Sequence, residues 1–155
     1  MARKKRITKK VLFQKTVETV QPILNLSDWK LIVSFSHATR MKETAYCSAA
    51  PEYKMARIKV NYSHLSELSH NEIVATAIHE MIHCILWDLG EWAHSLSKKD
   101  PQKAEITRKY EEGTVTSFEK ILVPLITDKL NTSLRAQGYY GVDLTFTDFQ
   151  TYHDR

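Results

Sequence analysis

The chain has 155 residues, 43% of them hydrophobic and 26% charged. That fits one domain with a core of its own and excludes a disordered chain or a disulfide-stapled miniprotein. No unbroken apolar run reaches the roughly 18–20 residues that a membrane span requires, so no membrane partner is expected.

The net charge of +4 is concentrated at the start, where Arg3, Lys4, Lys5, Arg6, Lys9 and Lys10 are six of the 22 basic side chains and all 18 acidic ones come later. Residues 1–10 therefore read as a basic flexible arm on a single domain spanning 11–155. Such an arm either touches nucleic-acid phosphates weakly or simply frays in solvent. The opening lacks the apolar core of a signal peptide. Cys47 and Cys84 are too few for a disulfide framework, so two free thiols in a reducing, cytoplasmic compartment are expected.

In chain order, residues 8–25 carry an apolar helical stripe (Val11, Leu12, Val17, Val20, Leu24) that Pro22 ends or bends. Residues 29–35, β-branched and aromatic, read as a strand, and 44–50 as a second. Residues 55–62 alternate, with Ala56, Ile58, Val60 and Tyr62 against Met55, Arg57, Lys59 and Asn61, the mark of a half-buried strand. Ser69 or Asn71 caps the next helix, which ends near Gly90, followed by a polar loop over 91–100. Asp100-Pro101 starts a long helix that runs to about Leu122 and meets Pro124. The aromatic tail, residues 139–152, is β-prone. The elements add up to an α+β fold with about three strands.

The most specific feature is His79-Glu80-Met81-Ile82-His83. Residues four apart on a helix lie on one face, one turn above the other, so two imidazoles here can grip one zinc ion. Glu80 can then act as general base on a zinc-activated water. No residue in 73–78 or 84–87 is charged. A helix that apolar is buried, and three polar side chains in it are costly unless paired or metal-bound. The blander alternative is two hydrogen-bonded histidines and a glutamate at the edge of a core helix.

A catalytic zinc wants a third protein ligand and one open position. Leu89 stands where the metzincin pattern places a histidine, so that class is excluded. His94 lies beyond Gly90 and would have to fold back. The helix after Asp100 offers Glu111 and Glu112. Helical periodicity favours Glu111, on the stripe of Val115, Phe118 and Leu122. Gly113, costly in a helix interior by about 1 kcal/mol, makes sense if two backbones approach closely there.

At these residues the chain resembles the gluzincin side of the zincin metalloproteases. It is most similar to small HExxH proteins of tailed phages and prophages, in which Glu-Glu-x-x-Val-x-x-Leu follows about thirty residues on. Here that stretch is Glu111-Glu112-Gly113-Thr114-Val115-Thr116-Ser117-Phe118. Residues 45–87 also resemble SprT-like proteases, including the kind acting on DNA–protein crosslinks, whose third ligand is a histidine followed by glycine. Here His94 is followed by Ser95, and no cysteine cluster appears downstream.

The first resemblance implies a zincin-like fold, with a small, mostly antiparallel sheet packed on the HExxH helix and on a second ligand-bearing helix. It implies a zinc metallopeptidase in which His79, His83 and Glu112 hold zinc and Glu80 is the base, acting on a peptide or protein substrate. The strand with Ile58 and Val60 would present an edge to that substrate. Tyr110, Tyr139, Tyr140 and His94 are candidate oxyanion donors. The alternatives are a DNA-associated SprT-like protease, a non-catalytic protein whose zinc is closed off by His94, and a hydrolase acting on a non-peptide bond.

Overall fold

A computed structural model describes residues 5–37, 41–97, 100–142 and 144–145, with 96 and 97 as backbone only. Chain order is β1 (Lys5–Arg6), α1 (Lys9–Ile23), β2 (Lys30–Ser36), β3 (Ala45–Ala50), a short 3-10 turn (Pro51–Tyr53), β4 (Met55–Asn61), α2 (Tyr62–Glu67), α3 (His70–Ser97), α4 (Pro101–Ala136) and β5 (Tyr139–Tyr140).

The alternation of β4 holds: Ala56, Ile58 and Val60 are buried while Arg57 and Lys59 face solvent. The sheet, in order β2-β4-β3, is not mostly antiparallel. β3 pairs β4 antiparallel through the tight Pro51–Tyr53 connection, but β2 runs parallel to β4. β4 is thus the central strand, paired on both sides, so Ile58 and Val60 cannot present a substrate edge. Among the described residues, β3 is the strand on the α3 side with an unpaired edge.

α3 lies against α1, β3 and α4, and its Ile73, Ile78, Met81 and Ile82 are fully buried with Leu12 and Phe13 of α1 and Ile58 of β4. Ser69 and Glu72 form the capping box that starts it: the Glu72 carboxylate accepts from Ser69 N at 2.7 Å and the Ser69 hydroxyl from Glu72 N at 3.3 Å. Asn71, the alternative cap, instead donates to Thr145 O.

The helices run further than the local signals indicate. α3 runs through Gly90 to Ser97, replacing the loop expected over 91–97, and α4 runs unbroken through Pro124. Asp100 does cap α4, accepting from Gln102 N and Lys103 N ahead of Pro101. Taken whole, residues His70–Ser95 of α3 are long and apolar enough to span a membrane by length and composition, which the run-by-run reading missed. More than half of that window is buried inside the domain, the signature of a core helix.

Little of the described basic arm is free. Lys5 and Arg6 pair parallel with Tyr139 and Tyr140, and Ile7 is buried. Lys9 Nζ donates to Ser66 O and Leu68 O, and Lys10 lies 4.1 Å from the Tyr62 ring centroid. Residues 1–4 and most of the aromatic tail fall outside the described residues.

Candidate metal centre

His79 and His83 project from one face of α3 as the helical spacing requires, with their Nε2 atoms 3.1 Å apart. α4 packs antiparallel alongside and brings Glu112 to them. Its carboxylate oxygens lie 3.6 Å from His79 Nε2 and 3.7 Å from His83 Nε2. Among the described residues these three form the group able to hold a metal ion.

The outer ring nitrogens are held as well. Glu119 Oε2 is 3.3 Å from His79 Nδ1, and Glu111 Oε1 is 3.3 Å from His83 Nδ1. A carboxylate beside Nδ1 fixes the proton there, so each Nε2 carries a lone pair. With both rings neutral in that tautomer, two lone pairs and a carboxylate face one point, an arrangement that a bound cation would satisfy. A tetrahedral zinc with bonds of about 2.0–2.1 Å has ligand-to-ligand edges of roughly 3.3 Å. The separations here, 3.1 Å between the two Nε2 atoms, 3.6 Å from His79 to Glu112 Oε2 and 3.7 Å from His83 to Glu112 Oε1, are of that order.

Glu80 points toward the sheet rather than into solvent. It is buried, and the Cys47 backbone N–H of β3 donates to its carboxylate. Burial pushes its pKa up to about 7, against the pull of His79 and that N–H, with Glu112 and Glu119 adding to the rise. The histidines part company. Burial works against charge on both, but on His79 the Glu119 hydrogen bond and the neighbouring carboxylates outweigh it and raise the pKa. On His83, burial and then His79 keep it low.

The two thiols, expected to be free, are neighbours all the same, with Cys47 Sγ 3.0 Å from Cys84 Sγ. The Cys84 contact and burial push the Cys47 thiol up, away from the reactive thiolate.

The remaining candidates sit elsewhere. Because α3 does not end at Gly90, His94 lies eleven residues beyond His83 along a continuous helix, roughly 16 Å away. It lines a hollow of about 420 Å³ with Trp87, Glu91, Arg108 and Glu111, so no fourth ligand closes the site from there. Tyr139 and Tyr140 follow the far end of α4, about 36 Å along the helix from Glu112. Tyr110 is exposed.

Glu119 was missed in the sequence, although its signal is there. It occupies the core phase of α4 with Val115, Val123 and Ile126, where a charge demands a partner. Gly113 does not serve close helix approach, since a Cβ there would meet nothing within 4 Å. Gly90 does: a Cβ at that position would stand 2.9 Å from Glu111 Oε1. Gly90→Ala should therefore push Glu111 off His83 and weaken zinc affinity roughly 10–100-fold, the usual cost of losing such support. Titration of the folded variant with zinc against a chromophoric chelator measures this, and wild-type affinity would show that Glu111 does not support His83.

Two histidines from consecutive turns of a buried helix and a carboxylate from its neighbour, each imidazole backed by a second carboxylate, define a candidate metal centre in an α+β domain. The chain belongs to the SprT-like family, which matches residues 10–99. Members of that family are zinc-metalloprotease-like domains. The match covers α1 through α3, including His79, Glu80 and His83, and stops before Glu112. The weaker of the two sequence resemblances is thus the one the family supports, and nothing found favours the phage-type or gluzincin assignment. No curated protein and no solved structure matches the chain.

Proposed function

We propose that the protein is a zinc-dependent metallopeptidase that hydrolyses peptide bonds in a peptide or protein substrate. His79, His83 and Glu112 hold the metal, and Glu80 is the general base. The observation that carries this reading is the convergence of two imidazole Nε2 atoms and one carboxylate on one site. A zinc ion there would supply a Lewis acid and lower the pKa of water to about 7.

The chain's own groups do the rest. Glu80 takes the proton of the attacking water and returns it to the leaving amine. Glu119 and Glu111 fix the tautomer and ring direction of the two histidines. Glu112, about half exposed, leaves the site open to a substrate. An extended peptide adds to the unpaired edge of β3, whose Cys47 N–H already reaches Glu80. The third ligand is then a glutamate of the gluzincin kind.

The reading is tested by incubating the purified chain with a mixed peptide library and following cleavage by mass spectrometry. Cleavage should stop on chelation and return with stoichiometric zinc. Cleavage that survives exhaustive chelation would rule out zinc chemistry.

A further inference from the structure

α4 carries a second pattern on the face turned away from the metal centre. Ile106, Tyr110, Phe118, Ile121 and Leu125 are all exposed, from 41% for Phe118 to 75% for Tyr110. Spaced three, four or eight apart, they form one stripe along the helix, with Gly113, Thr114 and Ser117 in the gaps. Glu112 points roughly 170° around the helix from the centre of this stripe. The stripe is therefore neither part of the metal site nor covered by the core.

The stripe has an approximate mirror in its own sequence. About the midpoint between Val115 and Thr116, Thr114 mirrors Ser117, Gly113 mirrors Phe118, Tyr110 mirrors Ile121 and Ile106 mirrors Leu125. At the ends, Lys103 mirrors Asp128. An isologous two-fold contact needs a surface complementary to itself in this way. In an antiparallel pair of α4 helices, Ile106 and Tyr110 of one copy meet Leu125 and Ile121 of the other, and opposite charges meet at both ends.

Two local observations point to such an occupant. Gly113 weakens the middle of a long helix, yet open space lies where its side chain would be. A surface hollow of about 670 Å³, lined by Ile106, Tyr110, Gly113, Thr114 and Phe118 among others, lies along the stripe there. The central hydroxyls are also already satisfied: Thr114 Oγ1 donates to Tyr110 O and Ser117 Oγ to Gly113 O, each at 2.8 Å. They can be buried against another helix without losing a hydrogen bond.

We propose that this face of α4 is the contact between two copies of the chain, packed antiparallel about a two-fold axis near residues 115 and 116, with Tyr110 of each copy against Ile121 of the other. The contact leaves both metal centres open and does not depend on the metallopeptidase reading.

Sedimentation equilibrium of the full chain tests the proposal. A reversible monomer–dimer equilibrium is expected, weakened tenfold or more by Ile121→Glu and by Tyr110→Glu, as for central residues of an interface. Both positions are exposed in the single copy, so circular dichroism should show the fold unchanged. Lys103→Glu and Asp128→Lys should each weaken the dimer, and the double variant should restore it, because only the antiparallel register brings these two positions together. A chain that stays monomeric at every concentration, a dimer indifferent to Ile121→Glu, or a double charge swap without recovery would each overturn the proposal.

Discussion

Glu80→Gln is expected to leave zinc affinity within a few-fold of wild type while lowering peptide cleavage by roughly 10²–10⁴, the usual worth of a positioned general base. Glutamine keeps the shape of the side chain and can still accept the Cys47 N–H, but it cannot take a proton. The same variant has a second, independent readout in the metal-free chain. The Glu80 carboxyl is raised from 4.5 to about 7 by burial. Between those values the folded chain keeps a proton that the unfolded chain has released, so its stability falls as pH rises through that window. Above it the buried anion costs at most about 3 kcal/mol. Glu80→Gln should remove that penalty, stabilising the chelated protein at about pH 8 and converging with wild type near pH 4.5. Denaturant melts across that range measure the difference. Full turnover by the variant would remove Glu80 from the base role, and a stability gain that does not grow with pH would mean that its carboxyl is not raised.

The sequence carried the local rules of this fold better than its long-range ones. The alternation along β4, a polar cap before α3 and Asp100-Pro101 at the start of α4 each depend on neighbours a few residues apart, and each is found, with Ser69 as the cap of the two residues the sequence offered. The direction of β2 depends on how the chain returns after β3, which no local pattern encodes, and there the expected antiparallel sheet was wrong. Gly90 looked like a helix stop, because glycine commonly ends helices. It stays helical, with the carboxylate of Glu111, from another element, in the space a side chain there would need, so packing between elements and not the local residue governs the position. Pro124 is tolerated for a comparable reason: Val123, Ile126, Thr127 and Leu130 are buried around it, and their packing outweighs the lost backbone bond.

The candidate site divides in the same way. His79 and His83 were legible because one helix turn sets their separation. The partners on α4 were only half legible. Periodicity pointed to Glu111 and the resemblance to Glu112, as though one had to be right. The structure brings both carboxylates to His83, on opposite nitrogens. A single hydrophobic stripe cannot express that distinction, since it ranks residues by phase and not by which atom of a ring they reach. Glu119 shows the converse, a charge in a core phase whose reason appears only once α3 lies beside it.

Those three glutamates should separate cleanly in a zinc titration, and the order of their effects is the sharpest check on the proposed site. Glu112→Ala removes a ligand outright and should cost far more than the 10–100-fold typical of supporting groups. Glu119→Gln and Glu111→Gln should each fall within that 10–100-fold range, because the amide can still touch Nδ1 but no longer holds its proton as a carboxylate does. His94→Ala, at a position roughly 16 Å along α3 from His83, should change nothing. Cobalt substituted for zinc adds a readout that general loss of structure cannot imitate. The four-coordinate visible spectrum should persist in the Glu119 and Glu111 variants and be altered in Glu112→Ala. Full zinc affinity in Glu112→Ala together with loss in His94→Ala would move the third ligand onto α3 and undo the assignment to α4. Equal, small losses in all three glutamate variants would mean that the acidic cluster acts only through its summed charge, with no carboxylate bonded to the metal.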